Sequence, residues 1–136
     1  MKINAQQLLK EKNIRITANR ILILESFLKS SYSLSIADIE ESLPWADRAT
    51  IFRTLMTFKE KALLHTIKDD DKALKYALCS GACQVNHHHI HPHFHCDICS
   101  KTYCLTQYEF PTPDLPENFK ANNYSLIING ICSDCQ

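Results

Sequence analysis

Two cysteine pairs of identical spacing, Cys96-Asp97-Ile98-Cys99 and Cys132-Ser133-Asp134-Cys135, constrain this chain more than any other feature. Each pair can form a tight turn that presents two thiolates to one point, and two such turns can wrap one Zn2+ tetrahedrally. Thirty-two residues separate the pairs, more than a compact zinc ribbon holds, so the insert must itself be structured. A metal at Cys96, Cys99, Cys132 and Cys135 would therefore staple a small domain closed. The competing readings are two redox dithiols or buried thiols. The N-terminal stretch MKINAQQLLKEKN is charged and amphipathic, unlike a signal peptide, so a cytoplasmic address is expected. In that compartment cysteines serve as ligands or thiols rather than disulfides, which favours the four-cysteine metal site. No apolar run approaches the roughly 20 residues of a transmembrane helix, so no membrane partner is expected.

The rest of the chain divides in two. All seven Cys lie between Cys79 and Cys135, and all seven His between His65 and His95. A net charge of zero, taken alone, argues against a nucleic-acid partner, yet the total hides an asymmetry. Residues 1–62 hold ten basic and seven acidic side chains, a surplus of three positive charges. Residues 63–136 hold five basic and eight acidic ones, a surplus of three negative charges. A hydrophobic fraction of 45% is enough for a folded core.

Periodicity gives the first half a helical reading. Residues 3–12 form a short helix with Leu8 and Leu9 inward. Thr17 caps a second helix carrying Ile21, Leu24 and Leu28 on one face. Ser35, with Asp38 three residues on, caps a third whose buried face is Ile36, Ile39 and Leu43, and Pro44 ends it. A fourth helix starts near Asp47, with the stripe Ile51, Leu55, Phe58 and Ala62. Two strand-like runs, Leu63–Lys68 and Ala73–Leu78, follow as a hairpin joined by Asp69-Asp70-Asp71. Helices followed by a hairpin in this order describe a winged helix. At about 100° per residue Arg53 lies nearly opposite the fourth helix's buried stripe, with Thr50 and Thr57 flanking it. An exposed Arg beside hydroxyls suits phosphate and base-edge contact, while the plain alternative is a solvated face.

Between the halves lies Asn86-His87-His88-His89-Ile90-His91-Pro92-His93-Phe94-His95-Cys96. In an extended chain His89, His91, His93 and His95 share one face, and Pro92 either breaks that strand or confines it to an edge. Beside Cys79, Cys83 and Cys104, the cluster reads as a second metal site, with some of the histidines as spectators. Enzyme signatures are missing from the sequence. It has no GxSxG, no HExxH, no phosphate-cradling Gly loop in a chain with two Gly, and no HxE with PCxxC. Neither an enzyme nor a small-molecule substrate is expected. Tyr103 and Phe110 are expected to pack, and Asn123-Tyr124-Ser125 is a chance glycosylation sequon.

Taken together these residues resemble the ferric uptake regulator family of bacterial metal-sensing repressors, over nearly the whole chain. Ile14–Arg20 is similar to that family's opening G-[LI]-[RK]-x-T-x-x-R segment, with Asn13 in place of Gly. Arg48–Leu55 resembles the recognition-helix motif x-A-T-V-Y-R-T-L, His91–Cys99 resembles H-x-H-x-x-C-x-x-C, and Gly130–Cys135 the closing G-x-C-x-x-C. The resemblance implies an α+β chain. It has an N-terminal winged helix-turn-helix domain, residues 1–80, and a small, mainly β, C-terminal dimerisation domain, residues 81–136, stapled by zinc. It implies a homodimer that, when metal-loaded, binds a palindromic double-stranded DNA operator and represses uptake genes. Arg15, Thr50, Phe52 and Arg53 take the DNA-contacting positions, with Phe52 replacing the usual Tyr.

For the regulatory metal, the family's zinc-sensing pattern maps onto His65, Cys79 and His89, with Cys104 in place of an acid. That two-nitrogen, two-sulfur set favours Zn2+ over Fe2+. His91 and His93 belong to the iron-sensing pattern and, with His95, form candidates for additional metal binding. The region 105–124 lacks the long helix of many family members. An iron- or peroxide-responsive regulator is the nearest alternative, and a zinc-buffering protein the alternative from another class.

Overall fold

The computed structural model describes residues 4–69, 73–79, 91–108, 111, 113–122 and 124–136. The first elements are α1 (Ala5–Glu11), α2 (Ala18–Lys29), β1 (Leu34–Ser35), α3 (Ile36–Ser42) and α4 (Arg48–Glu60). Each helix begins where a side chain satisfies a backbone N–H that the first turn leaves without a partner. Asn4, Thr17, Ser35 and Asp47 accept from the amides of Gln6, Arg20, Asp38 and Thr50 respectively. At Ser35 the cap is reciprocal, because the Asp38 carboxylate accepts from the Ser35 amide at 2.9 Å. Ser35→Ala is therefore expected to cost about 1 kcal/mol. A fall of a few degrees in the melting temperature of the helical half would show it, and an unchanged melt would count against this cap.

The apolar stripes meet in one core, with a correction in α2, where Ile23, Leu24 and Phe27 are buried and the expected Ile21 and Leu28 lie half-buried at its edge. Leu9, Ile23, Leu24, Ile39, Ile51, Leu55 and Phe58 are fully buried and form one cluster with Leu64 and Tyr76. Each such side chain contributes about 1.5–3 kcal/mol by leaving water. Asn13 adopts φ 56°, a left-handed conformation that Asn tolerates well among non-glycine residues, and this explains how it can stand where the family motif has Gly.

The wing is the antiparallel hairpin β2 (Leu64–Ile67) and β3 (Lys75–Leu78), which pair with Leu64 opposite Leu78 and Ile67 opposite Lys75. The short strand β1 joins the other edge of β3, with Leu34 opposite Tyr76, to give the order β1-β3-β2. The sequence reading does not anticipate β1, because its two residues are also the cap of α3. Asp70 and Asp71 of the acidic turn lie outside the described residues.

A second three-stranded sheet has the order β5-β4-β6, from β4 (His93–Cys96), β5 (Thr102–Cys104) and β6 (Ile127–Gly130). Strand β4 starts directly after Pro92 and is the central strand. Strand β5 pairs antiparallel with β4 and β6 pairs parallel to it. Cys96 stands opposite Gly130, where an added Cβ would meet the Phe94 ring at 3.1 Å, so close ring packing explains this glycine. Among the described residues, no helix lies between 105 and 124, and none is long and apolar enough to cross a membrane.

Candidate functional site

The two CxxC turns sit at one end of the second sheet. Cys96 ends β4, Cys99 follows in the turn before β5, and after β6 Cys132 precedes, and Cys135 ends, the short 3-10 turn Ser133–Cys135. Their four sulfurs lie within 4.8 Å of one another, and the Sγ atoms of Cys99 and Cys132 are 3.8 Å apart. A tetrahedral zinc ion holds its ligand atoms roughly 3.3–3.8 Å from each other, given bonds of about 2.0–2.3 Å, so the residues fit that ion. The Cys132 amide donates to the Cys96 sulfur at 3.4 Å, and backbone N–H bonds, that of Cys99 foremost, bring the Cys96 thiol down to about 6. Hydrogen bonding to the neighbouring Cys132 sulfur pushes Cys135 up to about 12. Four thiolates repel one another, and a cation resolves that repulsion.

A second convergence lies between the two sheets. His65 on β2 is buried, and Cys104 on β5 places its sulfur 3.6 Å from the His65 Nε2. His91 and His93 complete the set, so that one ligand atom from each of His65, His91, His93 and Cys104 lies within 4.8 Å of the others. The His91 and His93 rings are 4.6 Å apart between centroids, and His65 is 5.4 Å and 5.6 Å from them. Burial holds the His91 imidazole below its ordinary pKa, which favours the neutral, metal-binding form. Three imidazoles and a thiolate suit zinc, and the 3.6 Å separation again falls within the tetrahedral range.

This set differs from the one that the family's zinc-sensing pattern implies. His65 and Cys104 are common to both. Cys79, half-buried at the end of β3, is not among the four converging residues. His89 lies outside the described residues. His95, grouped by sequence with His91 and His93, approaches Thr102 Oγ1 at 3.0 Å and Asp69 Oδ2 at 3.4 Å instead. Sequence reasoning misses Asp69, Lys75 and Thr102 here, because nothing local marks them as neighbours.

On α4 the polar face is turned outward. Phe52 is 47% exposed, Arg53 is exposed and Thr50 is half-buried, while Ile51, Leu55 and Phe58 point into the core. Arg15 is exposed in the segment before α2, where its carbonyl accepts a bond from Arg20 at 2.9 Å. The structure thus leaves Arg15, Phe52 and Arg53 exposed.

Comparison with known proteins agrees with this architecture. A sequence model of the Ferric uptake regulator family matches residues 11–129. The Peroxide operon regulator of Bacillus subtilis is 27% identical over 142 residues, covering 96% of this chain and 90% of that protein. The crystal structure of the Vibrio cholerae ferric uptake regulator aligns with a TM-score of 0.62 at 21% identity, covering 93% of this chain and 98% of the other. A zinc uptake regulator complexed with zinc and DNA aligns with a TM-score of 0.62 at 20% identity, covering 96% and 89%. The chain belongs to the ferric uptake regulator family.

Proposed function

We propose that this protein is a metal-dependent, DNA-binding repressor of metal-uptake genes that acts as a homodimer and responds to zinc. Its family is one of transcriptional regulators rather than enzymes. The observation that carries the reading is the convergence of His65, His91, His93 and Cys104 from both sheets. Residues 1–80 would read DNA, and residues 81–136 would bind metal and dimerise. The four-cysteine cluster would hold a structural zinc, and the His/Cys set the regulatory one.

When bound at the second site, zinc would supply a tetrahedral tie between the wing and the second sheet. His65 belongs to the wing hairpin, and Cys104 and His93 to the second sheet, so engaging all of them at once restricts the angle between the two. In a dimer, two α4 helices must meet half-sites a whole number of DNA turns apart, and that angle sets affinity. Four protein ligands leave no open position for substrate chemistry.

Support for zinc comes from Cys104, a soft sulfur ligand where the zinc-sensing family pattern has an acid. The involvement of His91 and His93 favours, as a second reading, an iron- or peroxide-responsive regulator, since the resemblance assigns these two to the iron-sensing pattern. Operator sequences selected from a random DNA pool, followed by binding titrations with Zn2+, Mn2+ and anaerobic Fe2+, separate the two. Zinc is expected to give tight, footprinted binding at the lowest free-metal concentration. Activation by Fe2+ alone would overturn zinc, and the absence of any sequence-specific footprint would overturn DNA reading.

On the same reading Arg53→Ala is expected to weaken operator binding by about 1–3 kcal/mol, or five- to 150-fold. Dimerisation and metal content should stay unchanged. An unaltered gel-shift midpoint would remove Arg53 from the interface.

A further inference from the structure

Two alternate rungs of the β4–β5 ladder, on one face of the sheet, point at the wing and meet different partners. The rung His93–Cys104 faces His65 within the candidate regulatory site. Two residues along, the rung His95–Thr102 faces Asp69 and Lys75. There the Asp69 side chain is fully buried, those of Lys75 and His95 are 7% and 4% exposed, and Thr102 is fully buried. Lys75 Nζ lies 2.8 Å from Asp69 Oδ2, and it also donates to the Ser100 carbonyl at 2.5 Å and to Thr102 Oγ1 at 3.1 Å. The Thr102 hydroxyl donates to Asp69, and His95 Nδ1 lies 3.0 Å from Thr102 Oγ1. Except for the Asp69–Lys75 pair itself, each of these contacts to Asp69 or Lys75 crosses from the wing to the second sheet.

We propose that Asp69, Lys75, His95 and Thr102 form a metal-independent latch that sets the angle between the wing and the second sheet, and so aligns the neighbouring His/Cys ligands in advance. Two charges taken out of water are tolerated only if their remaining hydrogen-bonding positions are filled. Here the second sheet fills them, through a hydroxyl, a backbone carbonyl and an imidazole. A partly opened arrangement would leave both charges poorly hydrated and poorly bonded. Fully opened, the pair regains water, so the latch adds little net affinity between the halves. What it contributes is a definite closed geometry, as buried polar groups do where they fix a register. Asp69 and Lys75 act here as positioning residues, and neither belongs to the converging metal-ligand set.

The second half of the inference, alignment of the ligands, rests on the proposed regulatory site; the first half does not. The Ser33 amide supplies a local probe, because it donates across the same interface to the Thr102 carbonyl at 2.8 Å. Hydrogen exchange at Ser33 would be followed by NMR in protein that keeps one metal per chain and has been stripped of any second by mild chelation. The wild-type amide is expected to be protected without the second metal. Asp69→Asn leaves the Lys75 charge buried without its counterion, and Ser33 protection should fall at least about tenfold, with zinc affinity at the second site falling by a similar factor. Amides within α2 and α4 should keep their protection. The double variant Asp69→Asn/Lys75→Met should recover part of the loss, a non-additivity that general destabilisation would not produce. If Asp69→Asn does not fold, Thr102→Val removes the hydroxyl bonds at constant size and should lower Ser33 protection several-fold. An unprotected Ser33 in the stripped wild type, or protection unchanged in folded Asp69→Asn or Thr102→Val, would overturn the latch. If His65→Ala leaves second-site zinc affinity unchanged, the regulatory-site reading fails, and Ser33 protection still decides the latch.

Discussion

Changing Cys132 to serine is expected to abolish metal retention at the four-cysteine cluster and to melt the second sheet, while the helical half stays folded. The reason lies in what each half buries. The main apolar cluster runs from Ala5 to Tyr76, with Leu78 packed against it, and belongs to the first half. Beyond residue 90 the buried side chains among the described residues are Pro92, His93, His95, Cys96, Thr102 and Cys132, with no aliphatic one. So small and polar an interior cannot offset the chain entropy of ordering the segment, and small domains of this kind rely on a metal or a partner subunit. A structural zinc supplies an apparent 10–16 kcal/mol, roughly, to such a fold. Serine removes one thiolate from the four. Metal content of the purified variant should drop towards zero, and protection of the Asp97 amide, bonded to the Gly130 carbonyl at 2.8 Å, should vanish. Retention of one zinc per chain with that amide still protected would contradict the assignment. Acid should act in the same direction as the substitution. Protons compete with the metal for sulfur, so lowering the pH favours metal release.

The second large effect concerns regulation. His65→Ala and Cys104→Ser, made singly, are each expected to reduce the metal-dependent gain in operator affinity by most of its 5–150-fold range, a coupling of roughly 1–3 kcal/mol. Metal-independent binding to DNA and the first, tightly held zinc should persist. Each change removes a ligand from one of the two sheets, so each cuts the tie between them. Cys79→Ser provides the comparison. The family's zinc-sensing pattern gives Cys79 the same status as His65, whereas the converging set contains His91 and His93 instead. Isothermal titration of zinc into the stripped variants, with gel shifts on the selected operator, measures both effects. A Cys79→Ser defect as deep as that of His65→Ala would restore Cys79 to the ligand set. Intact zinc-dependent binding in both His65→Ala and Cys104→Ser would move the regulatory site elsewhere.

The helical half was readable because its determinants are local. Thr17, Ser35 and Asp47 each bond to an amide within three residues, and the buried positions recur at helical spacing. Strand β1 escaped because its pairing with Lys75 and Tyr76 lies some forty residues away. The parallel partnership of β4 and β6 was equally hidden, since nothing in Ile127–Gly130 names its neighbour. At the metal centres, pairing of the two CxxC turns could be read from identical spacing. The His-rich stretch could not be resolved in the same way. Alternation places His93 and His95 on one face, but it does not say that the first meets His65 and the second meets Asp69 and Lys75. That depends on how the wing docks, which no local pattern encodes.

The parallel pairing of β4 with β6 also bears on the order in which the protein assembles. His93 is matched with Ile127, thirty-four residues further along, so the central strand of the second sheet waits for a distant segment. Contacts of long sequence separation form slowly, because the intervening chain must be closed before any contact rewards it. Helical segments with local contacts form within microseconds to milliseconds. A newly made molecule therefore owns a finished reading head before it owns a finished sensor. On the proposed reading, capture of a zinc ion by Cys96, Cys99, Cys132 and Cys135 would close the same loop that β6 must cross, so zinc supply would act on how fast the protein matures as well as on its response to metal.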